Sequence, residues 1–170
     1  FSPLADTSLP DAGFVYLPGG YPELYLAALS ANRQMLQSIR RYVESGGKLL
    51  AECGGMMYLC DEIRDKNGYV YPMAGVLHQS ATMENMKLRL GYRTLLYNET
   101  RLKGHEFHYS RLVEQQNPLP SCAVAYTAKG VETDTPLYHY KNVWAGYTHL
   151  YWADPVGNEW FTKFVIDGNT

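Results

Sequence analysis

The first apolar run, Ala12-Gly-Phe-Val-Tyr-Leu17, is short and unbroken, and Pro18-Gly19-Gly20 ends it abruptly, so it predicts a buried strand over 12–17. Pro22 then suits the first turn of a helix through Leu24, Leu26, Ala27 and Leu29, with Ser30 and Asn32 offering a break and a new N-cap. From Asn32 the residues Met35, Leu36, Ile39, Tyr42 and Val43 recur on one helical face. Gly46 and Gly47 close that helix, and Lys48–Glu52 reads as the next strand. Strand, helix and strand in this order predict a parallel sheet with helices on its faces.

The pattern then changes. Residues 87–97, 104–113, 122–127, 137–140 and 143–148 are rich in Tyr, Val and Leu between turn residues and predict further strands, several of them antiparallel. Trp160, Phe161, Phe164 and Val165 predict a closing amphipathic helix that ends near Gly168. The expected fold is α/β, with a mostly parallel central sheet and added antiparallel strands, in one domain over 1–170.

Composition narrows the function classes. At 46% apolar and 19% charged residues, the chain can bury a core, which excludes intrinsic disorder. Its 15 Lys plus Arg against 17 Asp plus Glu give a net charge of −2 and form no basic block, so nucleic acid is not an expected partner. No apolar stretch approaches the ~18–20 residues that span a bilayer, so no membrane partner is expected either. Three cysteines, Cys53, Cys60 and Cys122, are too few and odd in number for a disulfide scaffold and suit a reducing, cytoplasmic setting. The chain starts at Phe1 rather than methionine, as a piece of something longer would.

The candidate chemistry lies in Lys48-Leu-Leu-Ala-Glu-Cys53-Gly54-Gly55-Met-Met-Tyr-Leu59. A strand, a cysteine, two glycines and then helix formers have the layout of a nucleophile elbow, where the reactive residue projects above the sheet from a tight turn. The N-terminus of the following helix would favour thiolate, so Cys53 is expected to be ionised and nucleophilic near neutral pH. Cys60 and Cys122 read as packing residues, and no Cys-x-x-Cys spacing indicates zinc. Acyl transfer also needs a proton carrier and an oxyanion site. Of five histidines, His149 is the best partner, because it ends a predicted strand and faces the same crevice if that strand is parallel to the first two. The Gly54 N–H and the Pro18-Gly19-Gly20 loop are the oxyanion candidates. Tyr21 and Glu52 flank the crevice and could touch substrate; Arg89 and Arg93 could meet a substrate carboxylate.

Four ordered segments, Leu17-Pro-Gly-Gly-Tyr-Pro-Glu23, Ala51-Glu-Cys-Gly-Gly-Met-Met-Tyr-Leu59, Gly104-His-Glu-Phe-His-Tyr-Ser110 and Tyr147-Thr-His-Leu150, resemble the motifs of the glutamine amidotransferase domains of cobyrinic acid a,c-diamide synthases. The resemblance implies a flavodoxin-like, class I glutamine amidotransferase fold. It implies that Cys53 attacks the glutamine amide, that His149 handles the proton, and that Gly20 and Gly54 stabilise the oxyanion through their N–H groups. Ammonia would then pass to an ATP- and Mg²⁺-using synthase domain that amidates the a and c carboxylates of a corrinoid in cobalamin biosynthesis. No Gly-x-x-x-x-Gly-Lys-Ser/Thr loop occurs here, so no cofactor is expected in this domain itself. Two other readings keep part of the pattern: a cysteine hydrolase or amidotransferase with a different acceptor, and a non-catalytic interaction fragment.

Two departures stand out against that resemblance. Many class I glutamine amidotransferases carry Glu two residues after the catalytic His, where this chain has Tyr151, so no third catalytic member is assigned; Asp154 and Glu159 are candidates only by proximity. Domains of this type also begin one strand and one helix before Phe1. A sheet shortened in this way exposes an edge, from which pairing with a second copy or reduced stability is expected. His105 and His108 fall on opposite faces of a strand, which disfavours a metal site, and no metal is assigned.

Overall fold

Alternation of side chains along buried strands determines how the layers assemble. A computed structural model describes residues 1–167. In chain order its elements are β1 (Phe14–Leu17), a 3-10 turn (Pro22–Leu24), α1 (Leu26–Ala31), α2 (Arg33–Glu44), β2 (Lys48–Glu52), α3 (Gly54–Leu59), β3 (Glu62–Arg64), β4 (Val70–Pro72) and β5 (Ser80–Thr82). They continue with β6 (Arg89–Tyr97), β7 (Thr100–His108), β8 (Arg111–Leu112), β9 (Val124–Thr127), β10 (Glu132–Thr133), β11 (Leu137–Tyr140), β12 (Val143–Gly146), β13 (His149–Leu150) and α4 (Pro155–Asp167).

The central sheet has the order β1-β2-β12-β11, with β2 parallel to both β1 and β12 and with β11 antiparallel at one edge. Both faces are covered, as a parallel sheet requires. Val15, Leu17, Leu49 and Ala51 face a first core completed by Met35, Leu36, Ile39 and Val43 of α2 and by the buried α3. The intervening Leu50 and Trp144 face a second core with Leu95, Leu102, Trp160 and Phe164, which brings the β6–β7 hairpin and α4 onto the opposite face. That hairpin belongs to a five-stranded antiparallel sheet ordered β10-β9-β6-β7-β13, and a third sheet, β4-β3-β5-β8, flanks the first core.

The local signals act largely as expected. Asn32 Oδ1 accepts the Met35 N–H at 3.3 Å, and Gly46, at φ +91°, reverses the chain after α2 while the Gly47 N–H donates to the Tyr42 carbonyl at 2.9 Å. The single helix expected from Pro22 is instead a 3-10 turn followed by α1, because Tyr25 leaves the helical region at φ −131°, ψ 18°. The strand expected over 104–113 begins at Thr100 and stops at His108. Asn98 and Glu99, both at positive φ, form the two-residue turn that starts it. The strand expected over 143–148 ends at Gly146, and His149 opens the separate strand β13, antiparallel to β7 rather than parallel to β2. The expected helix end near Gly168 lies outside the described residues.

Phe164 is buried and meets Phe14 edge-on at 5.8 Å, so α4 closes the second core rather than decorating it. Phe164→Ala is expected to cost about 3–5 kcal/mol in urea unfolding. A change within about 0.5 kcal/mol, as at ordinary surface positions, would show that α4 is peripheral.

Candidate active site

The turn at Cys53 is held by two neighbouring strand ends. Its N–H donates to the Gly146 carbonyl of β12 at 2.8 Å, and its own carbonyl accepts the Met57 N–H of α3 at 3.0 Å. Between these anchors Cys53 sits at φ +49°, ψ −108°, a region that non-glycine residues rarely occupy and that recurs at functional turns. The two glycines are sterically required. A Cβ on Gly54 would lie 2.6 Å from the Gly20 carbonyl oxygen, and one on Gly55 would lie 2.2 Å from that of Leu17. The loops after β1 and β2 therefore touch through backbone, which brings the Gly20 and Gly54 amides to one place beside the sulfur.

Cys53 lines a narrow cavity of about 20 Å³ with Gly20, Tyr21, Phe107, His108 and Ser110. At 5% exposure its thiol is dominated by burial, which pushes its pKa up to about 11, helped by the Glu23, Glu106 and Glu52 carboxylates and opposed by the Gly54 N–H. The expectation of a free thiolate near neutrality is therefore corrected. α3 has six residues, and its terminus does not outweigh desolvation and three negative charges. Among the described residues the hydrogen-bond acceptor facing the sulfur is the Phe107 carbonyl, at 4.0 Å. The thiol needs a proton acceptor before it can act.

His149 stands on β13 beside the loop after β1 and does not line the Cys53 cavity. Its ring stacks on His105 at 5.0 Å and presses on the loop after β1 so closely that a Cβ on Gly19 would lie 2.2 Å from Cε1. Burial, then His105 and His108, lower its pKa, so near neutrality the ring is neutral and can accept a proton. The histidine that lines the cavity with Cys53 is His108, which sequence reasoning left without a role. Its Nδ1 lies 2.9 Å from the Ser110 carbonyl, which places the proton of the neutral ring there and leaves the buried Nε2 without a hydrogen-bond partner. The signal was present in the alternation along β7, where Leu102, Gly104, Glu106 and His108 are buried and Lys103, His105 and Phe107 are exposed.

The remaining candidates separate clearly. Tyr21 borders the cavity with its ring exposed. Glu52, expected to touch substrate, is 3% exposed and turned behind His149. Its Oε2 accepts the Tyr16 hydroxyl at 2.6 Å, its Oε1 accepts the Leu150 N–H at 3.0 Å, and the His149 Nδ1 lies 3.8 Å away. Arg89 forms a two-point pair with Asp134, and Arg93 pairs with buried Glu106 at 2.8 Å, so both guanidinium groups are already engaged by protein carboxylates. Asp154 and Glu159 pair with Lys103 and Lys163, each at 2.7 Å. Cys60 is fully buried against the Met56 carbonyl and Cys122 lies against that of Leu137; burial raises both thiols, Cys122 to about 11.

The family model for the CobB/CobQ-like glutamine amidotransferase domain matches residues 1–156. The chain belongs to this family. Similar curated proteins include a hydrogenobyrinate a,c-diamide synthase of Pseudomonas aeruginosa, 39% identical over 156 residues, which cover 89% of this chain and 34% of that protein. Cobyrinate a,c-diamide synthases of Fusobacterium nucleatum (38% identical, 89% of this chain, 34% of that protein) and Salmonella typhimurium (35%, 90% and 35%) are also similar. The chain thus spans about a third of the length of the relatives it matches. A solved glutamine amidotransferase structure, 20% identical and covering 90% of this chain and 79% of its own, superposes with a TM-score of 0.57 and shares the fold. The CobB/CobQ-like domain therefore has the α/β class I architecture expected from its sequence.

In this amidotransferase domain a thiol whose pKa burial raises to about 11 is almost wholly protonated at neutral pH, and a neighbouring base that takes the proton would speed its reaction. His149→Ala is accordingly expected to leave Cys53 titrating as a lone buried thiol. Its alkylation by iodoacetamide, followed by mass spectrometry, should rise only as pH approaches 11, without the neutral-pH phase expected of the unaltered chain. A neutral phase persisting in the variant would remove His149 from the pairing.

Proposed function

We propose that this domain hydrolyses glutamine and supplies ammonia to an ATP-using synthase domain of the same enzyme, which amidates the a and c carboxylates of a corrinoid. The observation that carries the reading is the positive-φ Cys53 turn, clasped between the Gly20 and Gly54 backbones with a neutral histidine beside the same loop. His149 takes the thiol proton as Sγ attacks the side-chain amide carbon of glutamine. The Gly54 and Gly20 N–H groups donate to the resulting oxyanion. The imidazolium returns its proton to the departing nitrogen, giving ammonia and a thioester. The neutral ring then activates water, whose attack releases glutamate and the thiol.

The 20 Å³ cavity has room for little more than a water molecule, so glutamine entry requires the pocket to widen. Tyr21 and Tyr109 border it with exposed rings that can swing outward. ATP and Mg²⁺ are assigned to the part of the enzyme outside this chain, since these residues contain no phosphate-binding Gly-x-x-x-x-Gly-Lys-Ser/Thr loop. The names of the relatives, which are a,c-diamide synthases acting on hydrogenobyrinate or cobyrinate, support the corrinoid assignment. Three free thiols suit a cytoplasmic enzyme, and no helix among the described residues is long and apolar enough to cross a membrane.

A glutamine-mimicking diazo-ketone is expected to label Cys53 and to spare Cys60 and Cys122. Cys53→Ala in the complete enzyme should lower glutamine-dependent amidation by roughly 10³-fold or more while ammonium salts still support it. Labelling of Cys60 or Cys122 with Cys53 left free would overturn the mechanism.

A further inference from the structure

Strand alternation turns Glu52 away from the first core and onto the face of the central sheet that carries Leu50 and Trp144. A carboxylate there lies in a low-dielectric layer and is costly unless its oxygens are bonded. Tyr16 of β1 shares that face, and its hydroxyl donates to Oε2 at 2.6 Å. The other oxygen reaches across to the Leu150 N–H at 3.0 Å, the residue directly after His149. β13 is two residues long and is otherwise carried by β7, with Leu150 opposite Gly104, where a Cβ would lie 2.3 Å from the His149 carbonyl oxygen. One side chain, adjacent in sequence to Cys53, thus ties the strand of the histidine to the strand of the nucleophile. The ion-pair partner of Glu52 among the described residues is His149, whose Nδ1 lies 3.8 Å from Oε2.

We propose that Glu52, steadied by the Tyr16 hydroxyl, is the positioning residue for His149, keeping the ring proton on Nδ1, presenting Nε2 toward the Cys53 sulfur, and stabilising the imidazolium when the thiol proton arrives. The Nδ1 to Oε2 gap closes to hydrogen-bond length as that charge forms, the tightening expected of such contacts once an intermediate assembles. The groups facing His149 are Glu52 from β2 and His105 and His108 from β7. Of these, Glu52 alone is a carboxylate; burial raises its own pKa, and the two histidines lower that of His149. The assignment fills the place left by Tyr151, whose exposed side chain cannot serve it, and it rests on the pairing of Cys53 with His149 in the reading above.

Glu52→Gln preserves shape and can still accept the Leu150 N–H, so it removes charge without opening a cavity. Iodoacetamide alkylation of Cys53 against pH reports on the relay without requiring glutamine. Removing the carboxylate relieves its repulsion of the Cys53 thiolate, which alone would speed alkylation, so the result that identifies the positioning role is a net fall at pH 7 of about tenfold or more with the profile moved upward, as expected when the imidazolium loses a counter-charge worth ~1–3 pKa units at ~4–6 Å. In the complete enzyme the same variant should lower kcat for glutamine hydrolysis with KM little changed.

If His149→Ala alters the alkylation profile and Glu52→Gln does not, the positioning role is overturned while the Cys53–His149 pairing stands. Unchanged profiles in both variants would overturn the pairing and the proposal together. A raised KM with unchanged kcat would make Glu52 a glutamine contact and also overturn it. Should Glu52→Gln fail to fold by thermal melting, Tyr16→Phe decides the matter. A profile moved in the same direction, with a fall of about threefold or more at pH 7, supports the role, and an unaltered profile overturns it.

Discussion

The contact between the loops after β1 and β2 governs the rest of the site. Gly54 and Gly55 pack against the carbonyls of Gly20 and Leu17 at separations that leave no room for a Cβ. That approach forces the chain to reverse within one residue, which puts Cys53 at φ +49° and aims its side chain out of the sheet. The same approach brings two backbone N–H groups beside the sulfur at no cost in side-chain entropy. Because β1 and β2 are parallel neighbours, both loops lie at carboxyl ends of strands, where a doubly covered parallel sheet leaves its crevice. The steric requirement thus acts on the turn, the two backbone N–H groups and the crevice together, and a methyl group at either glycine would disturb all three.

Burial at this turn has an electrostatic consequence. The thiol is withdrawn from water and surrounded by Glu23, Glu52 and Glu106, so its resting state is protonated. Unless a neighbouring base takes its proton, such a thiol is protected from oxidation and alkylation, which act on thiolate. Burial and two neighbouring histidines likewise favour the neutral form of His149. The proposed pairing would keep both partners uncharged until a proton moves between them, which avoids a permanent ion pair in a desolvated crevice.

The parts of this arrangement that were legible in the sequence are those set by short-range sterics and periodicity. Pro18-Gly19-Gly20, the double glycine after Cys53, the Asn32 cap and the apolar face of α2 each work within a few residues, and each acts in the structure as expected. The positions of His149 and Glu52 were less legible because they depend on pairing between distant strands. Residues 143–148 read as one strand, yet the chain leaves the central sheet after Gly146, and β13 joins β7. The β6–β7 hairpin turns at Asn98 and Glu99, a pair lacking the glycine that usually marks such a turn, so the start of β7 was missed. The thiol was misjudged for a related reason. A helix terminus is a local feature visible in sequence, whereas the desolvation that overrides it sums over the whole surrounding fold.

Alternation along β2 explains how one strand can carry two members of the proposed relay. Leu49 and Ala51 face the first core and Leu50 the second, so consecutive residues Glu52 and Cys53 leave the strand in different directions. Cys53 turns into the crevice at the strand end, while Glu52 stays on the second-core face with Tyr16. His149 comes from the antiparallel sheet and meets the carboxylate on its Nδ1 side. A parallel sheet alone would not deliver this geometry, because its strand ends supply residues from one side of the crevice. The antiparallel sheet, packed on the second core by Leu95, Leu102 and Leu150, carries the histidine to Glu52 at the end of β2. Under the proposed pairing the added strands belong to the site, and the packing of the second core holds His149 against the central sheet.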